Sequence, residues 1–222
     1  MEIKHNLANF LSSIPSNVQL VAVSKTKPIE AIQEAYDAGQ RVFGENKIQD
    51  LAAKESQLPH DIVWHFIGHV QTNKVKYIAP FVSMIHAVES MKLLKEINKQ
   101  AIKNKRIIDC LLQFHIAEES TKFGLNFEEA QEILSNPVLS ELNNIRIVGI
   151  MGMATYTDDL IQIRTEFKNL ANIFYLLKEN YFKGTISFKE ISMGMSGDYQ
   201  IAIEEGSTMI RIGTKIFGTR NY

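Results

Sequence analysis

The chain has 222 residues, 45% of them hydrophobic, which suits one large domain or two small ones able to bury roughly 70% of the surface exposed on unfolding. Lys plus Arg at 24 nearly balance Asp plus Glu at 25, and the resulting net charge of −1 excludes a strong overall field for nucleic acid or anionic membrane. A single cysteine, Cys110, excludes an internal disulfide and a four-cysteine metal site, and no eighteen apolar residues run together, so a soluble, cytoplasmic protein is expected.

In chain order, a helix over residues 2–12 precedes a first strand over 19–24. Helix and strand then alternate: helix 28–37, strand 41–44, helix 46–56, strand 62–67, helix 73–78, strand 82–87, helix 90–103, strand 106–115, helix 126–134, strand 145–151, helix 157–178, strand 187–191, helix 198–205 and strand 207–211. Pro28 pre-sets the backbone for the first turn of its helix, and Gly39 suits a left-handed cap just beyond the end. Ser196 is positioned to cap the helix that Gly206 ends. Eight strands alternating with helices predict an α/β fold, a single closed parallel (β/α)8 TIM barrel with an additional N-terminal helix, occupying residues 1–222 as one domain. An open doubly wound sheet is the alternative; the strand count and the absence of a G-x-G-x-x-G turn or P-loop lysine weigh against it.

Lys25 stands at the carboxyl end of the apolar run Val18-Gln19-Leu20-Val21-Ala22-Val23-Ser24. An amine at the edge of a dry core can lose its proton and attack a carbonyl. Far along the chain, residues 192–198 and 211–214 bring glycines and hydroxyls able to cradle a phosphate, so an aldehyde that also carries a phosphate would satisfy both ends. Barrel active sites form at the carboxyl ends of the strands, with a frequent phosphate site in the loops after strands seven and eight. Those loops hold Ser196, Gly213 and Thr214, and closure of the barrel puts strand eight beside strand one. Arg211, at the end of strand eight, has donors and no acceptor; facing a pyridine nitrogen it could only donate, which would keep that nitrogen unprotonated and weaken the ring as an electron sink.

Five ordered motifs carry a family resemblance: Val21-Ala22-Val23-Ser24-Lys25-Thr26-Lys27, Phe43-Gly44-Glu45-Asn46, Trp64-His65-Phe66-Ile67-Gly68-His69-Val70-Gln71-Thr72-Asn73-Lys74, the segment 192–198, and Ser207-Thr208-Met209-Ile210-Arg211-Ile212-Gly213-Thr214. Across essentially the whole chain the sequence resembles the pyridoxal phosphate homeostasis proteins, single-domain relatives of the alanine racemase N-terminal barrel. The resemblance implies pyridoxal 5'-phosphate as a Schiff base on Lys25, its ring nitrogen facing Arg211, its phosphate held by Ser196, Gly213 and Thr214, and Asn46 as a further cofactor-proximal residue. It implies cofactor handling with no established reaction and no catalytic residue, with small amino acids and apo-enzymes receiving cofactor as partners, and a monomer. The chain ends at Tyr222, which is expected to leave no second β domain to supply the racemase's opposing tyrosine. Two alternatives stand beside this reading: a weak pyridoxal phosphate-dependent amino-acid racemase, and a cofactor-free Schiff-base aldolase.

Other residues read more plainly. Lys27 is the near rival of Lys25 but lies in the turn before Pro28. His65 and His69 are four apart, a metal-ligand spacing only on a helix, whereas this segment reads as strand then loop. Cys110 reads as a buried inert thiol. Lys99, Lys103, Lys105 and Arg106 read as a solvated helix end. Met151, Met153, Met193 and Met195 fall at strand ends, as the floor of a pocket or as ordinary core.

Overall fold

A computed structural model of the protein describes residues 2–119 and 123–219. Its sheet is a closed barrel in which β1 (Gln19–Val23), β2 (Val42–Glu45), β3 (Val63–Phe66), β4 (Met84–Val88), β5 (Ile108–Phe114), β6 (Ile145–Gly152), β7 (Glu190–Ser192) and β8 (Met209–Ile212) are neighbours in sequence order, all parallel. Strands buried on both faces need near-continuous apolar runs. Alternation then divides the core in two. Val21, Met84, Leu111, Val148, Met151 and Met209 fill the barrel interior, while Leu20, Ala22, Phe43, Trp64, Ile210 and Ile212 face outward into the larger layer beneath the helices.

The helices are α1 (Glu2–Ser12), α2 (Ile29–Asp37), α3 (Ile48–Glu55), α4 (Met91–Lys103), α5 (Phe127–Leu134), α6 (Leu160–Tyr181), α7 (Tyr199–Glu204) and α8 (Thr214–Phe217). Short polar residues start three of them: Ser90 Oγ accepts from the Leu93 amide, Asn126 and Glu129 form a reciprocal capping box, and Asp159 accepts from the first turn of α6. Helix α1 is fixed by Asn6 Nδ2 donating to the Ile216 carbonyl at 3.2 Å.

Several expectations are corrected. Pro28 occupies the cap of α2, one residue before its first turn, although its φ of −73° suits the role assigned to it. Ser196 does not cap α7. The cap is Asp198, whose Oδ1 accepts from the Met195 amide at 2.5 Å, while the Ser196 hydroxyl is drawn across to the Gly213 amide at 3.4 Å. The helix expected over 73–78 is a 3-10 helix, Thr72–Tyr77, and a further 3-10 helix, Pro137–Glu141, was not anticipated. Arg106 is not part of a solvated end: Nη1 donates to the Ala79 and Val82 carbonyls at 2.9 and 2.7 Å, tying α4's exit to the loop before β4. Met193 packs in the outer layer and Met195 is exposed; of the four methionines, Met151 and Met153 belong to the barrel interior.

Candidate functional site

The end of β1 turns sharply. The Lys27 amide donates to the Ser24 carbonyl at 3.0 Å, closing a four-residue turn in which Lys25 is second and Thr26 third. Thr26 has φ +66°, the left-handed region that a β-branched residue rarely adopts, so the turn stores strain beside Lys25. Lys25 is half-buried there. Lys27 is committed elsewhere: its Nζ donates to the carbonyls of Phe217, Gly218 and Thr219 at 2.9, 3.2 and 3.1 Å, where an ammonium complements the carboxyl end of α8.

Behind the turn lies a buried ion pair. Lys54 Nζ, from α3, meets Glu45 Oε1, from the end of β2, at 2.5 Å and donates to the Ser24 carbonyl at 2.9 Å. Ser24 Oγ donates to the same Glu45 oxygen at 2.8 Å, whereas Glu45 Oε2 is buried without a hydrogen-bond partner.

Strand register carries β8 alongside: Val21 pairs with Arg211 and Ala22 with Ile212, so the residues after Arg211 leave the sheet beside Lys25. Gly213 suits the close approach there, because a Cβ would come 3.2 Å from the Val23 carbonyl oxygen, a tight contact. Gly194, at φ +95°, lets the loop after β7 fold against α7, where a Cβ would meet Ala202 Cβ at 2.6 Å. Ser196 and Gly213 are thus brought together, with Thr214 exposed beside them. Asn46 is exposed just past β2, at the same end of the barrel.

Arg211 points into the barrel and is 4% exposed. Its Nη1 donates to Ser192 Oγ at 2.7 Å and its Nη2 to the Gly152 carbonyl at 3.0 Å. Burial lowers its pKa to about 10, opposed by Asp198, so it remains a cation at neutral pH although both bonds go to neutral oxygens. Ser192 Oγ also lies 3.1 Å from His86 Nδ1, and His86 Nε2 lies 3.0 Å from His65 Nδ1. Burial lowers the His65 pKa to about 3, and burial, then His65 and Arg211, hold His86 well below its ordinary value. Sequence reasoning set His65 beside His69 and placed Ser192 only within the phosphate-cradling segment 192–198, whereas its hydroxyl is taken up by Arg211 and His86; the strand alternation Met84-Ile85-His86 was the signal that could have turned His86 inward. His69 instead meets Glu89 Oε1 at 3.1 Å and stacks on Phe123. Among the described residues no group of three or more metal-ligating side chains converges, and Cys110 is buried, which raises its thiol pKa.

A groove of about 840 Å³ along α6, lined by Ile116, Glu118, Asp159, Gln162 and Glu166 among others, contains none of these residues. Lys25, Ser196 and Gly213 lie elsewhere, at the carboxyl ends of β1, β7 and β8.

Fold and site together define a class: a (β/α)8 barrel with a lysine in the turn after β1, a buried arginine on β8 and a glycine-and-hydroxyl cradle after β7 and β8. The family described as alanine racemase, N-terminal domain, matches residues 1–221, and the chain belongs to it. Within that family it belongs with the pyridoxal phosphate homeostasis proteins: it is 38% identical to the one from Aquifex aeolicus over 205 residues, covering 92% of this chain and 88% of the relative, and 34% identical to the one from Escherichia coli K12 over 235 residues, covering 100% and 98%. Among solved structures it is similar to PipY of Synechococcus elongatus PCC7942 with PLP bound, at 35% identity and a TM-score of 0.88, covering 97% of this chain and 100% of that one. The Clostridium difficile alanine racemase shares the barrel at 13% identity and a TM-score of 0.79, with this chain spanning 57% of its length.

Proposed function

We propose that the protein binds pyridoxal 5'-phosphate and serves in cofactor homeostasis in the cytoplasm, holding the cofactor and releasing it to apo-enzymes, with the barrel acting as one domain. The reading is carried by the convergence of Lys25, the Ser196 and Gly213 cradle and the buried Arg211 at one end of the barrel, and it is supported by the likeness to PipY, whose structure has PLP bound.

The donor set fits this group. A buried guanidinium whose two hydrogen bonds go only to neutral oxygens can accommodate a further acceptor, and a ring nitrogen is one. Glycines without Cβ atoms let backbone amides approach a phosphate. When bound, pyridoxal phosphate supplies an aldehyde that condenses with amines and a ring that can draw electrons from the attached carbon.

Lys25 supplies the amine that anchors the aldehyde carbon, and the Lys54 and Glu45 pair fixes the peptide leading into it. Ser196, Thr214 and the Gly213 amide hold the phosphate, and Asn46 lies beside the group. Arg211 donates to the ring nitrogen and surrenders no proton to it, so the site retains the group better than it activates it. Small amino acids are bound slowly at most and no reaction is turned over; the protein works as a monomer.

Two measurements on the purified protein test this. Alkaline release should yield one pyridoxal phosphate per chain, and L-alanine incubated with the protein in deuterated water should keep its α-proton and its configuration. Exchange and racemisation at roughly 1 per second or faster, in the range of ordinary enzymes, would replace this reading with the racemase one.

A further inference from the structure

We propose that His86 and His65 are positioning residues for Arg211: with Ser192 they form a one-way hydrogen-bond relay that fixes the guanidinium, each imidazole carrying its proton on Nε2. The relay draws one residue from each of four strands, Arg211 from β8, Ser192 from β7, His86 from β4 and His65 from β3, and so crosses the barrel interior.

Its direction follows from the inventory of hydrogens. Arginine only donates, so Ser192 Oγ is the acceptor in the 2.7 Å contact. The hydroxyl then has one hydrogen to give, and His86 Nδ1 lies 3.1 Å away. An imidazole that accepts at Nδ1 carries its proton at Nε2, which here faces His65 Nδ1 at 3.0 Å. His65 must accept in turn and also carries Nε2–H. The opposite polarity would leave the Ser192 hydrogen without an acceptor at a residue that is 0% exposed, a costly arrangement. A doubly protonated histidine at either place would set two donors against each other or bury a second cation beside Arg211; burial and the guanidinium both oppose that.

The consequence is orientation. Ser192 and the Gly152 carbonyl hold two N–H groups of a five-donor fork, which sets its plane. Ser192 can accept from Arg211 in a fixed direction only while His86 takes its hydrogen. Without His86 the hydroxyl hydrogen has no fixed direction, and Ser192 still accepts from Arg211 but holds one side of the fork less firmly. That this steers a bound ring rests on the reading that Arg211 meets pyridoxal phosphate; the relay itself does not.

The experiment has two arms. In the cofactor-free parent protein at neutral pH, nitrogen-15 long-range correlations of the imidazoles report tautomers directly, and both histidines should be neutral with the proton on Nε2. Either histidine protonated on Nδ1 overturns the relay, whether or not the protein takes the cofactor. In the cofactor-loaded protein, His86→Leu should move the visible absorption band and weaken retention about tenfold, while His86→Asn, whose amide oxygen can accept from Ser192, should restore both toward the parent. Ser192→Ala cuts the relay at another point and should give the same band shift, which covers the case in which His86→Leu does not fold. Folded His86→Leu or Ser192→Ala with the parent's band and retention overturns the proposal, since a merely structural role would leave the spectrum in place.

Discussion

Lys54 and Glu45 are joined at 2.5 Å in a layer where the glutamate is 0% exposed, and the same ammonium holds the Ser24 carbonyl. A buried pair is a poor source of net stability, yet breaking it by removing one partner strands a charge and typically costs about 3 to 5 kcal/mol. Lys54→Met is therefore expected to destabilise the protein by about that much in urea unfolding, and the double variant with Glu45→Leu by less. A Lys54→Met variant as stable as the parent would show that the pair does not brace the turn before Lys25.

The turn itself should be strained. At Thr26 the left-handed backbone costs an L-residue about 1 to 2 kcal/mol, of which glycine would be relieved at the expense of a more flexible unfolded chain. Thr26→Gly is expected to raise the unfolding free energy by about 1 kcal/mol. A clear loss of stability in that variant would contradict the strained turn.

The buried histidines give the fold an acid-sensitive term. His65 has its folded pKa lowered to about 3 and His86 is lowered as well, so between the ordinary histidine value and the folded one the unfolded chain binds protons that the native protein refuses. Stability is then fully present above about pH 6.5 and falls as pH drops toward 3, with a slope of about 1.4 kcal/mol per pH unit for each histidine. Urea midpoints across this window should show the slope. Replacing His65 by Asn should flatten it, and an unchanged slope in that variant would mean that His65 is protonated in the native state.

The phosphate cradle predicts graded losses. On the proposed site, Ser196→Ala and Thr214→Val would each remove a hydrogen bond to a charged group, worth about 1.5 to 3 kcal/mol, so cofactor retention should weaken roughly tenfold or more in a dilution assay. Backbone amides survive both changes, so binding should persist. Equal retention in both variants and the parent would place the phosphate elsewhere.

The eight strands and their order were legible because parallel strands buried on both faces must be written in β-branched runs. The seventh was misplaced by the same rule. Phe188 is apolar and fully buried, but its ring stacks on Phe182 at 3.9 Å and on Phe174 of α6 at 5.0 Å, so Phe188 serves the helix layer, and only from Lys189, whose amide donates to the Val148 carbonyl at 2.9 Å, does the chain join the sheet. Lys25 and Arg211 could be read as candidate site residues because of the motifs around them; either one alone reads as an ordinary surface residue. The cap assigned to Ser196 was wrong, because a cap is a local inference, whereas its hydroxyl meets Gly213, 17 residues away and named beside it in the expected cradle. The contacts of His86, Ser192, Glu45 and Lys54 were missed for a related reason: each is explained by a partner on another element, as His86 is by Ser192 across 106 residues.

The central claim is that Lys25, and not Lys27, anchors pyridoxal phosphate. Lys27 is already bound to three carbonyls at the end of α8, whereas Lys25 sits in the turn between the buried ion pair and the Gly213 cradle. Borohydride reduction of the cofactor-loaded protein followed by peptide mass spectrometry tests this directly. The account expects a single pyridoxyl group on Lys25 and no modification in Lys25→Ala. A pyridoxyl group on Lys27, or modification that survives Lys25→Ala at the parent level, would contradict it.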